Sequence, residues 1–289
     1  MSEKKPDISR LAATGLEQAG PRLWVRGAPE DLKRRIARAD MFVSDFDECM
    51  HRSITQGEAG IRVYRRIASS LHEPGHLPLF FHISRHAVPI AATMAWQELT
   101  GDVLNSRMIR MFERLARGIP MSYFEDAIGG MYDDFFPGAA DVLRLLHSRG
   151  VPAGVISLGL APIVGGLLRS LEEHEGAPAA FYECTRIIED SRGRFLRYNP
   201  DRVYTANHDK KKMLEKRAAQ FDARRPLVVG HDRDDEVMFH TCRAMGGVNI
   251  GFRPVKEVLP MLDAAVYAPD WRPIHRLLSG AFEEEAAIG

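Results

Sequence analysis

Met41-Phe42-Val43-Ser44-Asp45-Phe46-Asp47-Glu48 decides how the rest of the chain is read. The run from Met41 to Ser44 is apolar or small without polar alternation, the signature of a strand buried on both faces of a parallel sheet. Acidic residues follow at once, at the carboxyl end of that strand. Open α/β sheets bind their ligands outside the carboxyl ends of their strands.

Working outward, helix and strand patterns alternate downstream of Phe136. Residues 137–150 (PGAADVLRLLHSRG) form an amphipathic helix closed by Gly150, 154–158 (GVISL) a buried strand, and 161–174 (APIVGGLLRSLEEH) another helix. Residues 181–197 read as a hairpin turning at Ser191-Arg192-Gly193. Residues 208–221 (HDKKKMLEKRAAQF) are a helix and 226–230 (PLVVG) a third parallel strand, with edge strands at 248–251 and 265–267. Upstream, 1–40 read as a polar lead-in whose helix opens at Pro29-Glu30-Asp31. Residues 51–135 carry helical stretches such as VPIAATMAWQEL and no strand alternation. The predicted fold is therefore α/β, a doubly wound, mainly parallel, Rossmann-like sheet with a helical insertion after its first strand. Its parts are an N-terminal extension (1–40), a core (41–50 and 136–289) and a helical insertion (51–135).

Composition narrows the function classes. The 289 residues carry 39 Lys and Arg against 39 Asp and Glu, so no basic excess argues for nucleic acid or an anionic membrane as partner. A small anionic substrate held by local charges stays open. Cys49, Cys184 and Cys242 are widely spaced and odd in number, which points away from a disulfide framework. No stretch reads as a signal peptide or membrane span, and a cytoplasmic location is expected. The oligomeric state is not encoded legibly.

Chemistry is carried by an ordered constellation. Asp45 and Asp47 flank one residue at a strand end, where two carboxylates can face one ligand. Carboxylates hold hard cations such as Mg2+ and can attack phosphorus, although such pairs also cap helices and turns. Ser157, with Leu158 and Gly159, offers a hydroxyl and backbone N–H groups to an anion, or a plain helix cap. Lys210, Lys211 and Lys212 supply a cation or a solvated face, and Lys210 is favoured by its spacing to Leu214. Residues 230–236 (GHDRDDE) crowd carboxylates that repel one another unless a cation compensates.

In combination and order these motifs resemble the haloacid dehalogenase-like phosphohydrolases, and within them the phosphoserine-phosphatase-like branch, over roughly residues 40–280. Residues 135–168 are similar to the family's approach to its phosphate-binding Ser, IIEDSRGRF (187–195) to the hairpin before its lysine, and VVGHDRDDEVMF (228–239) to its last acidic motif. The resemblance implies Asp45 as nucleophile and Asp47 as general acid and base. It implies phosphate binding by Ser157, Leu158, Gly159 and Lys210, and a divalent ion, Mg2+ or else Mn2+ or another, held by Asp45, Asp47, Asp235 and Asp232. It also makes residues 51–135 a cap that selects a small phosphorylated substrate, with His82, Arg85 and His86 the first readers to test and Arg107 and Arg110 behind them; each of these also fits a merely solvated helix.

One departure stands out. If Gly230 and Met238 set the register, the family's first metal-binding Asp falls on His231, a poor ligand for Mg2+ and a better one for softer ions. A shift of one residue would put Asp232 there, with Glu236 keeping the carboxylate spacing. Cys49, where the family has Thr or Val, is small enough to pack without consequence. The implied activity is a metal-dependent phosphatase working through an aspartyl phosphate. The alternatives are a catalytically weak protein that binds a phosphorylated metabolite or partner, and a phosphotransferase.

Overall fold

The computed structural model describes residues 7–100, 106–204 and 207–288. In chain order the elements are α1 (Ile8–Ala13), β1 (Leu16–Gly20), β2 (Leu23–Arg26), α2 (Pro29–Ala37), β3 (Met41–Ser44), α3 (Thr55–Ser69), α4 (His76–Thr100), α5 (Ser106–Ala116), α6 (Met121–Gly129) and α7 (Ala139–Ser148). They continue with β4 (Ala153–Leu160), α8 (Ala161–Glu175), β5 (Phe181–Thr185), β6 (Ile187–Glu189), β7 (Phe195–Tyr198), α9 (Asn207–Phe221), β8 (Pro226–Gly230), α10 (Glu236–Ala244), β9 (Val248–Phe252), β10 (Ala264–Val266) and α11 (Arg272–Ile288).

Among the described residues the main sheet has eight strands in the order β1-β2-β10-β9-β8-β3-β4-β5. From β10 to β5 every neighbouring pair is parallel, which bears out the doubly wound α/β reading. Chain order runs from β3 outward to β4 and β5, then returns to β8 on the other side of β3. The carboxyl end of β3 is thus a switch point, where adjacent connections leave in opposite directions and open a crevice.

Alternation along β3 explains why so short a strand anchors both layers. Met41 and Val43 enter one apolar cluster, with Met213 and Leu214 of α9 and Met238 and Phe239 of α10. Phe42 enters the other, with residues of α2, α7, α8 and α11. The strand is buried along its whole length.

Three sequence expectations change. Residues 1–40 contribute strands as well as a helix, because Leu16–Gly20 and Leu23–Arg26 pair around a two-residue turn and β2 then pairs antiparallel with β10. Only Leu16 of β1 is buried, so this edge strand carries almost no apolar alternation to read. The hairpin covers β10, and the presumed edge strands at 248–251 and 265–267 lie inside the sheet. The expected 181–197 hairpin divides: Phe181–Thr185 joins the main sheet beside β4, while β6 and β7 form a separate ribbon. That ribbon meets the helical segment through backbone bonds from Gly118 and Met121 N–H to Phe195 and Gly193 carbonyls.

Trp271 ties the carboxyl-terminal helix to the site loop. Its fully buried ring packs edge-on to Phe42 and tilted to Phe252, and Nε1–H donates to the Cys49 carbonyl at 2.8 Å. Gly138 lets the chain pass close by, since a Cβ there would lie 2.7 Å from the Arg272 nitrogen, and its φ of 93° is one that other residues avoid. Trp271→Ala is expected to lower unfolding stability by about 3–5 kcal/mol. Trp271→Phe, which keeps most of the volume and strands a buried carbonyl, should cost about 1–3 kcal/mol in the same denaturant titration.

Candidate active site

The loop after β3 folds back on itself. The Phe46 carbonyl accepts N–H bonds from Cys49 at 3.3 Å and from Met50 and His51 at 2.9 Å, with Glu48 in the left-handed region at φ 54°. Asp45 is held in line with the sheet by its own N–H, which donates to the Val229 carbonyl of β8. Cys49 is thereby brought back beneath Asp45, and all three free cysteines of the chain are buried.

Lys210, in the first turns of α9, reaches into the crevice. Its Nζ donates to Asp45 Oδ1 at 2.9 Å and to Asp235 Oδ1 at 2.7 Å. Of the three consecutive lysines it alone is buried, with a side chain 3% exposed against 54% for Lys211 and 71% for Lys212. Burial works against the ammonium, but the carboxylates of Asp235 and Asp45 outweigh it and raise its pKa.

Asp235 is presented by the turn after β8. Its Oδ2 accepts the N–H of His231 at 2.7 Å and of Asp232 at 3.2 Å. Gly230 is required for this approach, because a Cβ there would stand 2.7 Å from the Asp235 carboxyl carbon and 2.9 Å from its Cβ. Gly230→Ala is expected to cost about 1–3 kcal/mol and to displace Asp235, seen as a matching loss of thermal stability in a calorimetric scan.

The two strand-end carboxylates are electrostatically unlike. Burial alone would raise Asp45, yet the charge of Lys210 and the adjacent His231 hold it below the usual carboxylate range. Asp47 has no ion-pair partner in contact; burial, helped by the nearby charge of Asp45, pushes it up to about 6, against the Thr55 N–H, which donates to Oδ1 at 3.0 Å, and the more distant charge of Lys210. The pair therefore places an ionised carboxylate beside one that keeps its proton to near-neutral pH, the pattern that separates a nucleophile from a general acid.

Ser157 lies within β4 on the neighbouring side, in the stretch between Ile156 and Leu160 where the register with β5 shifts. Its Oγ accepts the Gly159 N–H at 2.9 Å. A Cβ on Gly159 would meet Ser157 Oγ at 3.0 Å and Asp47 Oδ2 at 3.6 Å, so Gly159 leaves open the space between these two groups. The Leu158 carbonyl is bonded by Thr185 Oγ1 and, at 3.5 Å, by Gln56 Nε2. Thr55 and Gln56 open α3, and sequence reasoning missed both; the stretch SITQGE carries only an ordinary helix-start pattern.

Asp232 does not join the cluster. Its Oδ1 accepts the Asp234 N–H at 3.1 Å and caps its own 3-10 turn, so the proposed shift of register is corrected: the turn keeps His231 facing Asp45. His231 Nδ1 lies 3.3 Å from Asp45 Oδ2 and 3.6 Å from Asp235 Oδ2, without the alignment of a hydrogen bond. Asp45, Cys49 and His231 bring their ligand atoms within 4.8 Å of one another. An oxygen shell for Mg2+ does not fit this arrangement, since what faces the free oxygen of Asp45 is an imidazole nitrogen and a thiol.

The basic cluster of the helical insertion is engaged elsewhere. His82 Nε2 bonds the Arg114 carbonyl of α5 at 2.9 Å and its ring stacks edge-on to His86, while Arg85 and Arg110 are exposed. The structure brings none of His82, Arg85 and His86 to Asp45, and the Arg107 side chain lies outside the described residues.

No family model and no curated protein matches the chain. Solved structures do match. A phospho-aspartyl intermediate analogue of phosphoserine phosphatase aligns at TM-score 0.56 and 18% identity, over 82% of this chain and 98% of its own. Cytosolic 5'-nucleotidase IIIB bound to cytidine aligns at 0.67 and 13% over 98% and 99%. A HAD family hydrolase from Salmonella enterica serovar Typhi aligns at 0.56 and 16% over 83% and 72%. At these identities the likeness is one of fold: the chain shares the α/β architecture of these phosphatase, nucleotidase and HAD hydrolase structures.

Because the folded-state pKa of Asp47 is raised from 3.8 to about 6, the proton linkage adds no penalty below about pH 4, destabilises the fold progressively from there to about pH 6, and levels off above that at about 3 kcal/mol. Asp47→Asn removes that cost. Its stability relative to the parent chain should therefore grow between about pH 4 and pH 6 and stay level above about pH 7, as read by urea titrations at each pH.

Proposed function

We propose that the protein is a phosphatase that hydrolyses a small phosphomonoester through an aspartyl-phosphate intermediate on Asp45. The observation that carries the proposal is the division of labour at the end of β3: Asp45 ionised against Lys210, and Asp47 held up at about 6 by burial.

In the first step a carboxylate oxygen of Asp45 attacks phosphorus and the ester P–O bond breaks, while Asp47 gives its proton to the departing alkoxide. In the second, water attacks the aspartyl phosphate, Asp47 takes the water's proton, and the P–O bond to Asp45 breaks to release phosphate and restore the carboxylate. Lys210 and the Ser157 hydroxyl hold the phosphoryl oxygens through both steps, with Leu158 and Gly159 shaping the turn beside them. They act by fixed position in a site with little water, where electrostatic contacts are strongest.

The helical segment of residues 51–135 serves as the cap that chooses the alcohol, with Thr55 and Gln56 as its contacts to the reacting end. Among the described residues no helix is long and apolar enough to cross a membrane. A second reading, a protein that binds phosphate esters without turning them over, is favoured by one observation: both oxygens of Asp45 have a basic partner, Lys210 on Oδ1 and His231 near Oδ2.

Phosphate release from p-nitrophenyl phosphate and a panel of metabolite phosphomonoesters tests the reading. Asp45→Asn is expected to lower kcat by about 10^4-fold or more, with the fold intact by circular dichroism. Release that survives Asp45→Asn would remove the nucleophile from the account. No release from the parent chain with any substrate or ion, together with retained orthophosphate binding, would transfer it to the binding reading.

A further inference from the structure

The donor atoms facing Asp45 are of a different chemical kind from those the sequence led one to expect. Asp45 Oδ2 and His231 Nδ1 lie 3.3 Å apart, and Cys49 Sγ completes a group whose members all fall within 4.8 Å. A tetrahedral ion with bonds of about 2.0–2.3 Å spaces its ligand atoms about 3.3–3.8 Å apart, so a small adjustment of the thiol seats an ion between all three.

The partners of these atoms make the same point. His231 Nδ1 is buried and faces Asp45 Oδ2 at 3.3 Å without the alignment of a hydrogen bond. The Cys49 thiol is fully buried, and its Ser44 Oγ contact at 3.8 Å is a weak one. Asp45 Oδ1 is occupied by Lys210, which leaves Oδ2 facing the nitrogen and the sulfur.

We infer that Asp45 Oδ2, Cys49 Sγ and His231 Nδ1 form a site for a divalent transition ion of the zinc or cobalt class, in place of a Mg2+ site. Mixed oxygen, nitrogen and sulfur ligands select such ions, whereas Mg2+ takes oxygen alone. Three protein ligands leave the fourth tetrahedral position to an exogenous oxygen, the arrangement of zinc sites that do chemistry rather than hold a fold. Binding displaces the thiol proton, and any proton on Nδ1, to solvent. The inference rests on the phosphatase reading only in taking that fourth ligand to be a phosphoryl oxygen; the ligand set stands on geometry alone.

The full-length chain, stripped with chelator and kept reduced, is titrated with Co2+ in parallel with the phosphate-release assay. One equivalent is expected to bind with a near-ultraviolet sulfur-to-cobalt charge-transfer band and the intense visible bands of tetrahedral Co2+, and Zn2+ should displace it. Cys49→Ser should abolish the charge-transfer band and weaken binding by more than about 10-fold. His231→Asp, which restores an oxygen ligand, should lose tetrahedral intensity and gain Mg2+ binding by calorimetry. A parent chain that takes up Co2+ without the sulfur band, or takes up none, overturns the site. If the band appears and depends on Cys49 while no phosphate is released, the metal site holds and the phosphatase reading fails. If phosphate is released without the band, the reverse is true.

Discussion

One ammonium group, Lys210 Nζ, lies between Asp45 Oδ1 and Asp235 Oδ1 and joins three separate pieces of chain: the loop after β3, the turn after β8 and the start of α9. Each partner is buried, so none can turn to water. Removing the cation would leave two buried carboxylates with only His231 beside them, a loss of about 3–5 kcal/mol by the usual behaviour of buried pairs. Such a contact is poor value as a source of stability, because desolvation consumes most of what the attraction returns. Its effect is positional: with Lys210 fixed, Asp45 is ionised and aimed, and the Gly230–Asp235 turn has one place to sit.

That constraint also explains how adjacent carboxylates come to differ. Asp45 has the cation and Asp47 does not. Asp47 sits in the same dry crevice with the Thr55 N–H as its bonded partner, and desolvation lifts it while Asp45 stays down. The switch point of the sheet supplies the crevice, and the antiparallel hairpin β1-β2 closes the sheet on the far side, well away from it. Fold and chemistry meet where the connections from β3 diverge.

Much of this was legible in the sequence, for definite reasons. Buried parallel strands leave continuous apolar runs, and Met41–Ser44 and Pro226–Gly230 were visible as such. Motifs at strand ends keep their order whatever the intervening loops do, which made Asp45, Asp47, Ser157 and Asp235 readable. Lys210 was singled out among three lysines by its spacing to Leu214, and both residues are buried. Residues 16–26 stayed hidden, since an edge strand needs no apolar face. The thiol beside Asp45 stayed hidden too: Cys49 looked like packing, and only the fold of the loop after Phe46 turns it toward His231. Asp232 was misplaced because spacing alone cannot tell a carboxylate that faces a ligand from one that caps its own turn.

The central claim is that Asp45 bonds covalently to phosphorus. Its most direct measurement is to quench the reacting protein in acid within a single turnover, reduce the trapped acyl phosphate with borohydride, and locate the altered residue by peptide mass spectrometry. The account requires the change at Asp45 alone, in the peptide that also carries Asp47 and Cys49. A phosphorylated or reduced residue anywhere else, or turnover in which no acyl phosphate accumulates or can be trapped at Asp45 in a variant slowed at Asp47, would contradict it.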